Sequence, residues 1–450
     1  MIAQPVFLAL LLALAAGAAS PVAAQVATTR LRVETHPDVE ALACRQQGRR
    51  ESTAKEQADR PALPRDEDLR PFLRNRASAA AATLPLPPPR DPGTYRMAIW
   101  GDSHIAAGFF TDELVRASGF APTQAGPRFL PATFMRAGVR LPLRRACVSG
   151  EWRYESAHSG AAAAAHPGPG LADLVARESG AELALDLRAP ATAGSAHVRL
   201  LLEDVDGPVR IAVAVDGGPF TEVVLQEAAG PTAIELSGAG PLSVVRLRLL
   251  GGSLRFHGLE LDPGSRALQL DVFGYPGATV AAWRGANTQQ LRAWYAETRY
   301  DVVALAYGTN EASVQPFDVD AYRRQLGDAV LNLRRVFPTA ACVLLAPGDR
   351  GTLVRPSSRG RLPANDLLRH SRVHETIGRI QSEVARETGC QVWSALDAMG
   401  GPGSAYLWAR EQPPLMAPDL VHFTVRGYQQ LGRAFSRALR WDMTRPAPPR

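Results

Sequence analysis

Lysine is almost absent: Lys55 is the single one in 450 residues, and the other basic side chains are arginines mixed with 44 acids. The net charge of +6 is therefore dispersed, whereas a nucleic-acid footprint needs a clustered basic patch, so no nucleic-acid partner is expected. A pI near 9.4 fits polyanionic surroundings, a cell-wall polymer included. Long apolar runs are also missing. Phe7 to Ala19 is too short for a membrane span of about 20 residues, nothing later approaches that length, and no stable membrane insertion is expected. The small-residue stretch Pro21-Val22-Ala23-Ala24 that follows suits cleavage before Gln25, so residues 1–24 read as a signal peptide. Met1–Pro5 carries no Lys or Arg, which leaves an uncleaved anchor or a misplaced start as alternatives. No cysteine stands at the cleavage point, which argues against a lipoprotein. Metal-ligand spacings are lacking as well: His374-Glu375 and the scattered His36, His158, His166, His197, His257 and His370 form neither H-E-x-x-H nor paired Cys/His sets. No metal and no cofactor are expected.

What is there is a folded chain, 46% hydrophobic with 21% charged residues. Residues 25–93 have little apolar periodicity and end in Pro85 and Pro87-Pro88-Pro89, which reads as a stalk or wrapping arm with an extended connection. From Tyr95 the pattern changes. Tyr95–Gly101, Leu268–Gly274, Tyr300–Gly308, Ala340–Gly348 and Cys390–Leu396 are short buried-strand runs. Helical faces alternate with them: Tyr322, Leu326, Val330, Leu333 and Phe337; Val373, Ile377, Ile380 and Val384, stopped by Gly389; and Tyr428, Leu431, Phe435 and Leu439. This predicts an α/β unit, a parallel sheet covered on both faces, over residues 94–175 and 265–442, with 443–450 as a tail. Residues 176–264 differ. Seven short runs from Leu183 to Leu261, spaced by turns such as Asp216-Gly217 and Gly251-Gly252, predict an inserted all-β sandwich or jelly roll. Four cysteines permit three pairings. Cys342 and Cys390 open two strands placed side by side, which favours that pair and leaves Cys44 with Cys147; buried free thiols are the alternative.

The chemistry-bearing residues stand at the carboxyl ends of these strands, where open α/β sheets carry their sites. The first strand ends in Gly101-Asp102-Ser103-His104, the second in Gly274-Tyr275-Pro276-Gly277, the third in Gly308-Thr309-Asn310-Glu311. Asp419-Leu420-Val421-His422 precedes the last helix. Acyl transfer needs a nucleophile, a base, a carboxylate that fixes the base's tautomer, and donors for the oxyanion. Ser103, His422 and Asp419 supply the first three; the N–H groups of Ser103 and Gly277 and the amide of Asn310 supply the fourth. Gly274 is the competing donor, less suited because it ends the strand. His104 sits awkwardly for the Ser103 hydroxyl and reads as a structural residue, or else as one that supports the site or contacts substrate. Asp349 and Arg350, after the fourth strand, read as pocket rim or solvated loop.

Taken together and in order, GDS, the Gly-containing turn, GTNE and DLVH resemble the blocks of the SGNH, or GDSL-type, esterase superfamily. The resemblance implies a flavodoxin-like three-layer sandwich with a five-stranded parallel sheet. GTNE stands where many relatives have GxND, which leaves the role of Glu311 open. Ser103 and Gly277 are 277 − 103 = 174 residues apart, a gap that the β insert explains. A carbohydrate-binding-like β domain at that place, with GTNEA at 308–312 and DLVHFTVRGY at 419–428, is similar to the peptidoglycan O-acetylesterases of Gram-negative periplasms. It implies periplasmic removal of acetyl groups from the C6 hydroxyl of N-acetylmuramic acid, with O-acetylated peptidoglycan or another acetylated polysaccharide as partner. An O-acetyltransferase and a catalytically silent glycan-binding protein are the rivals. The insert's own role is open, because between 181 and 266 it has no Trp or Tyr and only Phe220 and Phe256.

Overall fold

The run YRMAIWG forms the strand Tyr95–Gly101, in which Met97 and Ile99 join one apolar cluster while Ala98 and Trp100 join another. A strand with both faces dry belongs in the middle of a covered sheet. The structure, a computed structural model, describes residues 26–36, 39–44, 63–64, 83–84, 87–225, 230–262, 264, 266–353 and 364–441. The segment read as a signal peptide, most of the arm and the tail lie outside the described residues. Tyr95–Gly101 is flanked by Leu268–Gly274 and by Val302–Ala306, and the latter leads outward to Ala341–Ala346 and Gln391–Ser394, every pair parallel. These are the five expected strands. A sixth, Ala125–Gly126, pairs with the outer side of Leu268–Gly274, so the sheet has six strands and not five. Two residues are too few to leave a periodic signal.

Helices cover both faces. Val319–Val336 and Arg369–Thr388 bury Leu326, Val330, Leu333, Ile377 and Ile380 against the Trp100 side. Phe109–Ala117 and Val425–Leu439 bury Phe110, Leu114, Leu431 and Phe435 against the Met97 side. Gly389 ends its helix in the left-handed conformation, φ 70°, which explains why the periodicity stops there. The structure pairs Cys342 with Cys390 and Cys44 with Cys147.

The inserted unit consists of two sheets. One runs Thr221–Leu225, Val209–Val215, Val244–Gly251, Glu182–Asp186 and Arg145–Val148, all antiparallel. The other is centred on His197–Asp204 and Leu254–Leu261. Leu185, Ile211, Leu247, Leu200, Ile234 and Phe256 from the two sheets share one core. All seven expected strands are present, and the unit is larger than 176–264. Phe129–Pro131, Arg145–Val148, Arg153–Ser156 and Ala172–Ala176, expected in the α/β unit, extend its sheets. So does Ala27–Arg32 of the arm, parallel to Thr232–Ser237. These strands are short, several are partly exposed, and their partners are remote in sequence, which hides them from a local reading.

The two units meet over a buried polar cluster. His257 Nδ1 lies 2.8 Å from Asp173 and its Nε2 3.3 Å from Glu203, while Gln290 of the helix Thr288–Trp294 donates to Glu203 at 3.0 Å. Burial opposes the charge on His257, yet Asp173 and Glu203 hold its pKa above the ordinary histidine value. Burial likewise opposes the Glu203 charge, and His257 and His166 hold its pKa down at about 2. The Gln290 amide thus ties the helix Thr288–Trp294 to a charged network within the β unit.

Candidate active site

Ser103 opens a four-residue helix, Ser103–Ala106, laid across the ends of two central strands. That crossing requires glycine: a Cβ on Gly274 would collide with Ala106 N of the helix, and one on Gly101 would collide with the Ile105 side chain of the same helix. Asp102 caps the helix by accepting the His104 N–H at 2.9 Å. Burial raises the pKa of Asp102 to about 6, against the hydrogen bonds of His104 and Thr309.

His422 Nε2 is 2.9 Å from Ser103 Oγ, and His422 Nδ1 is 2.7 Å from Asp419 Oδ2. The loop before the last helix makes this possible. Asp419 Oδ1 accepts the N–H groups of Val421 and His422, both at 2.9 Å, and Leu420 takes the left-handed conformation at φ 56°. The hydrogen bond to Asp419 raises the His422 pKa above the ordinary value, against partial burial. His422 and Asp419 are 43% and 47% exposed, so the arrangement opens onto the surface. His104 packs beside it, its ring 5.4 Å from His422 and 5.1 Å from Phe423, with Nδ1 3.2 Å from the Tyr428 hydroxyl. Burial takes the His104 pKa down to about 3, so its ring is a neutral wall behind the base.

Gly277 has φ 85°, a conformation that favours glycine. Its turn is anchored by Tyr275 N–H, which donates to Gly101 O at 3.1 Å. Among the described residues, the N–H groups of Ser103 and Gly277 have no acceptor. Asn310 Nδ2 donates to Ala278 O at 2.8 Å and has a second N–H for another acceptor. Gly274 stays in register with Gly101 inside the sheet.

Glu311 has a structural task that sequence reading left open. Its Oε1 accepts the Val280 N–H at 2.9 Å and its Oε2 the Gly308 N–H at 3.0 Å, which ties the turn of Gly277 to the turn of Asn310. Burial raises its pKa to about 7, opposed by these donors. Glutamine supplies one acceptor where two buried N–H groups each need one. Glu311→Gln is therefore expected to destabilise the protein by about 1–3 kcal/mol in urea unfolding. An unchanged midpoint would mean the two turns are held by other contacts.

Asp349 is neither rim nor solvated loop. It is buried and accepts the Ala405 N–H at 2.8 Å, at the start of the helix Ser404–Arg410. Arg350 is partly buried and bonds Ser313 at 2.8 Å. Among the described residues no group of three or more His, Cys, Asp or Glu could hold a metal ion, and no helix is long and apolar enough to cross a membrane. A cavity of about 50 Å³ lies behind Asp102 and His104, lined by Phe110, Trp393 and Leu431; Ser103, Gly277 and Asn310 are not among its lining residues.

No curated protein matches the chain. A solved structure described as a peptidoglycan O-acetylesterase in action is 20% identical, with a TM-score of 0.59 over 82% of this chain and 94% of its own. At that identity the likeness speaks for the fold. An alpha/beta hydrolase enzyme from the metagenome of Lake Arreo, Spain, is 21% identical over 38% of this chain and 73% of its own, TM-score 0.27. A family two carbohydrate esterase from Clostridium thermocellum, an active-site mutant, is 10% identical over 65% of this chain and 96% of its own, TM-score 0.25. Residues 259–430 match the model of the GDSL-like Lipase/Acylhydrolase family. That span holds Gly277, Asn310, Asp419 and His422; Ser103 stands before the β insert. Residues 259–430 are thus similar to a GDSL-like lipase/acylhydrolase domain, and the chain shares its α/β fold with the first of these solved structures.

Proposed function

We propose that this protein is an exported serine esterase that removes O-acetyl groups from peptidoglycan, at the C6 hydroxyl of N-acetylmuramic acid. The observation that carries the reading is the unbroken line from Asp419 through His422 to Ser103, set beside unoccupied N–H donors. Ser103 Oγ attacks the acetyl carbonyl and its proton passes to His422 Nε2. The oxyanion is met by the N–H groups of Ser103 and Gly277 and by Asn310 Nδ2. The intermediate collapses, the C–O bond to the sugar breaks, and His422 returns the proton to the departing alkoxide. Water then repeats the sequence on acetyl-Ser103, yielding acetate and free serine.

Three observations support a polymeric wall substrate. The triad is open to the surface, the chain is basic, and the solved structure described as a peptidoglycan O-acetylesterase aligns over 82% of this chain, a span too long for the α/β unit alone. Residues 1–24 support export to the periplasm.

The test is acetate release from O-acetylated peptidoglycan by the purified protein, with de-O-acetylated peptidoglycan as control. Ester-dependent release is expected. Turnover of an aryl acetate without release from peptidoglycan would move the substrate to another acetylated polysaccharide. Acetyl transfer to a sugar hydroxyl in place of water would make the protein a transferase. Retention on peptidoglycan without any ester cleavage would make it a binding protein. Within the proposed reading, Asn310→Ala is expected to lower kcat about 10²–10³-fold with KM nearly unchanged, since the amide meets charge that develops only in the transition state. Steady-state kinetics on the aryl acetate checks this; a rise in KM alone would remove Asn310 from the oxyanion site.

A further inference from the structure

Beside the turn of Gly277 stands an arginine that the chemistry above does not use. Arg136 lies with its guanidinium 5.4 Å from the ring centre of Tyr154 and 5.2 Å from that of Tyr275. Tyr275 is two residues before Gly277, and Tyr154 belongs to the β unit, so the guanidinium bridges the two units at the edge of the site. The rings are themselves fixed. The Tyr154 hydroxyl donates to Phe134 O, and the His158 ring packs 5.2 Å from the Tyr275 ring. Burial, then the Arg136 charge, lowers the His158 pKa, which keeps that ring neutral beside the cation.

The loop that carries Arg136 is set against the catalytic helix. Arg140 N–H donates to Ala106 O at 2.9 Å, and a Cβ on Gly138 would stand 3.5 Å from the Pro276 ring. Met135, next in the chain, adopts φ 59° and is 58% exposed. A non-glycine residue held in that conformation marks a loop over-determined by its surroundings. Among the described residues the Arg136 guanidinium meets no carboxylate and makes no side-chain hydrogen bond. Several other partly buried arginines of this chain are paired with acids, as Arg128 is with Glu260 and Arg188 with Asp186. Cation–π contact with two rings orients a guanidinium, and one that has no carboxylate of its own can take a ligand carboxylate with two parallel hydrogen bonds.

We propose that Arg136, oriented by Tyr154 and Tyr275, is a subsite for a carboxylate carried by the glycan near its acetyl ester. The inference rests on the esterase reading and deepens it: the substrate is an acidic acetylated glycan, and a neutral one lacks the group that this subsite recognises. N-acetylmuramic acid, whose lactyl group is a carboxylate, is the probe, and its methyl ester removes only the charge.

The experiment measures binding of each to the purified protein by calorimetry, so that the outcome does not depend on turnover. The acid is expected to bind about 10–100-fold more tightly than the ester. Arg136→Met, which keeps the apolar stem and loses the fork, is expected to abolish the difference; Arg136→Lys, which keeps the charge as a point, is expected to restore part of it. Equal affinity for acid and ester, or a difference that survives Arg136→Met, overturns the subsite. A fall in thermal stability of Arg136→Met with discrimination intact would make Arg136 a staple between the units, and overturns it too. Discrimination without acetate release leaves the subsite standing and sinks the esterase, whereas release without discrimination does the reverse.

Discussion

Ser103→Ala is expected to lower acetate release by roughly 10⁴–10⁶-fold while leaving the fold intact. The size follows from what the hydroxyl does. In the proposed mechanism it is the atom that forms the acyl bond, and its 2.9 Å contact with His422 Nε2 is the route by which its proton leaves. Alanine keeps the binding surface and the oxyanion donors, so a small residual rate through water is expected. The change is structurally mild. Ser103 is the first residue of its helix, partly exposed, and the cap comes from Asp102, so unfolding should shift by no more than about 0.5 kcal/mol. Thermal unfolding and aryl acetate kinetics on the same preparation check both halves. Activity within ten-fold of the parent would reduce Ser103 to a satisfied polar group.

The parallel sheet was legible in the sequence because its strands are dry on both faces. Val302–Ala306 and Ala341–Ala346 are apolar nearly throughout, and the helices between them repeat at 3.6 residues. The line from Ser103 to Asp419 was legible for another reason: each member ends a strand or precedes a helix, and strand ends in such sheets converge. What was hidden depends on long-range pairing. Ala27–Arg32 has four exposed positions at its start and takes strand form against Thr232–Ser237. Arg145–Val148 is partly exposed throughout and is stabilised by the edge of Glu182–Asp186. Glu311 was legible as a departure from the family block, while its use was not, because its partners Val280 N and Gly308 N become adjacent only after folding. Asp349 misled because a carboxylate after a strand commonly faces solvent or substrate, and here it is consumed by a helix N-terminus. No local pattern announces Arg136, since Tyr154 and Tyr275 are far apart in the chain.

Asp419→Asn is expected to lower kcat roughly 10³–10⁴-fold, more than half-exposure of a carboxylate would suggest. The reason lies in how its two oxygens are shared. Oδ1 accepts two backbone N–H groups, from Val421 and His422, and Oδ2 accepts the imidazole Nδ1–H. Asparagine has one oxygen, and the two backbone donors, fixed by the loop, claim it. Its NH₂ then faces His422 Nδ1 and makes that nitrogen an acceptor. The proton moves to Nε2, which is the atom that must receive the Ser103 proton, so the base is held in the wrong tautomer. The pH profile separates this from simple loss of charge. In the proposed mechanism neutral His422 is the competent form, so kcat/KM of the parent is expected to rise with pH through a histidine pKa that Asp419 holds above the ordinary value. Removing the carboxylate removes the main cause of that rise, and the acid limb is expected to move to lower pH while the plateau falls. Nitrogen chemical shifts of His422 in the variant should report a proton on Nε2. A lowered plateau with an unmoved limb and an unchanged tautomer would mean that Asp419 orients the loop and does not control the base.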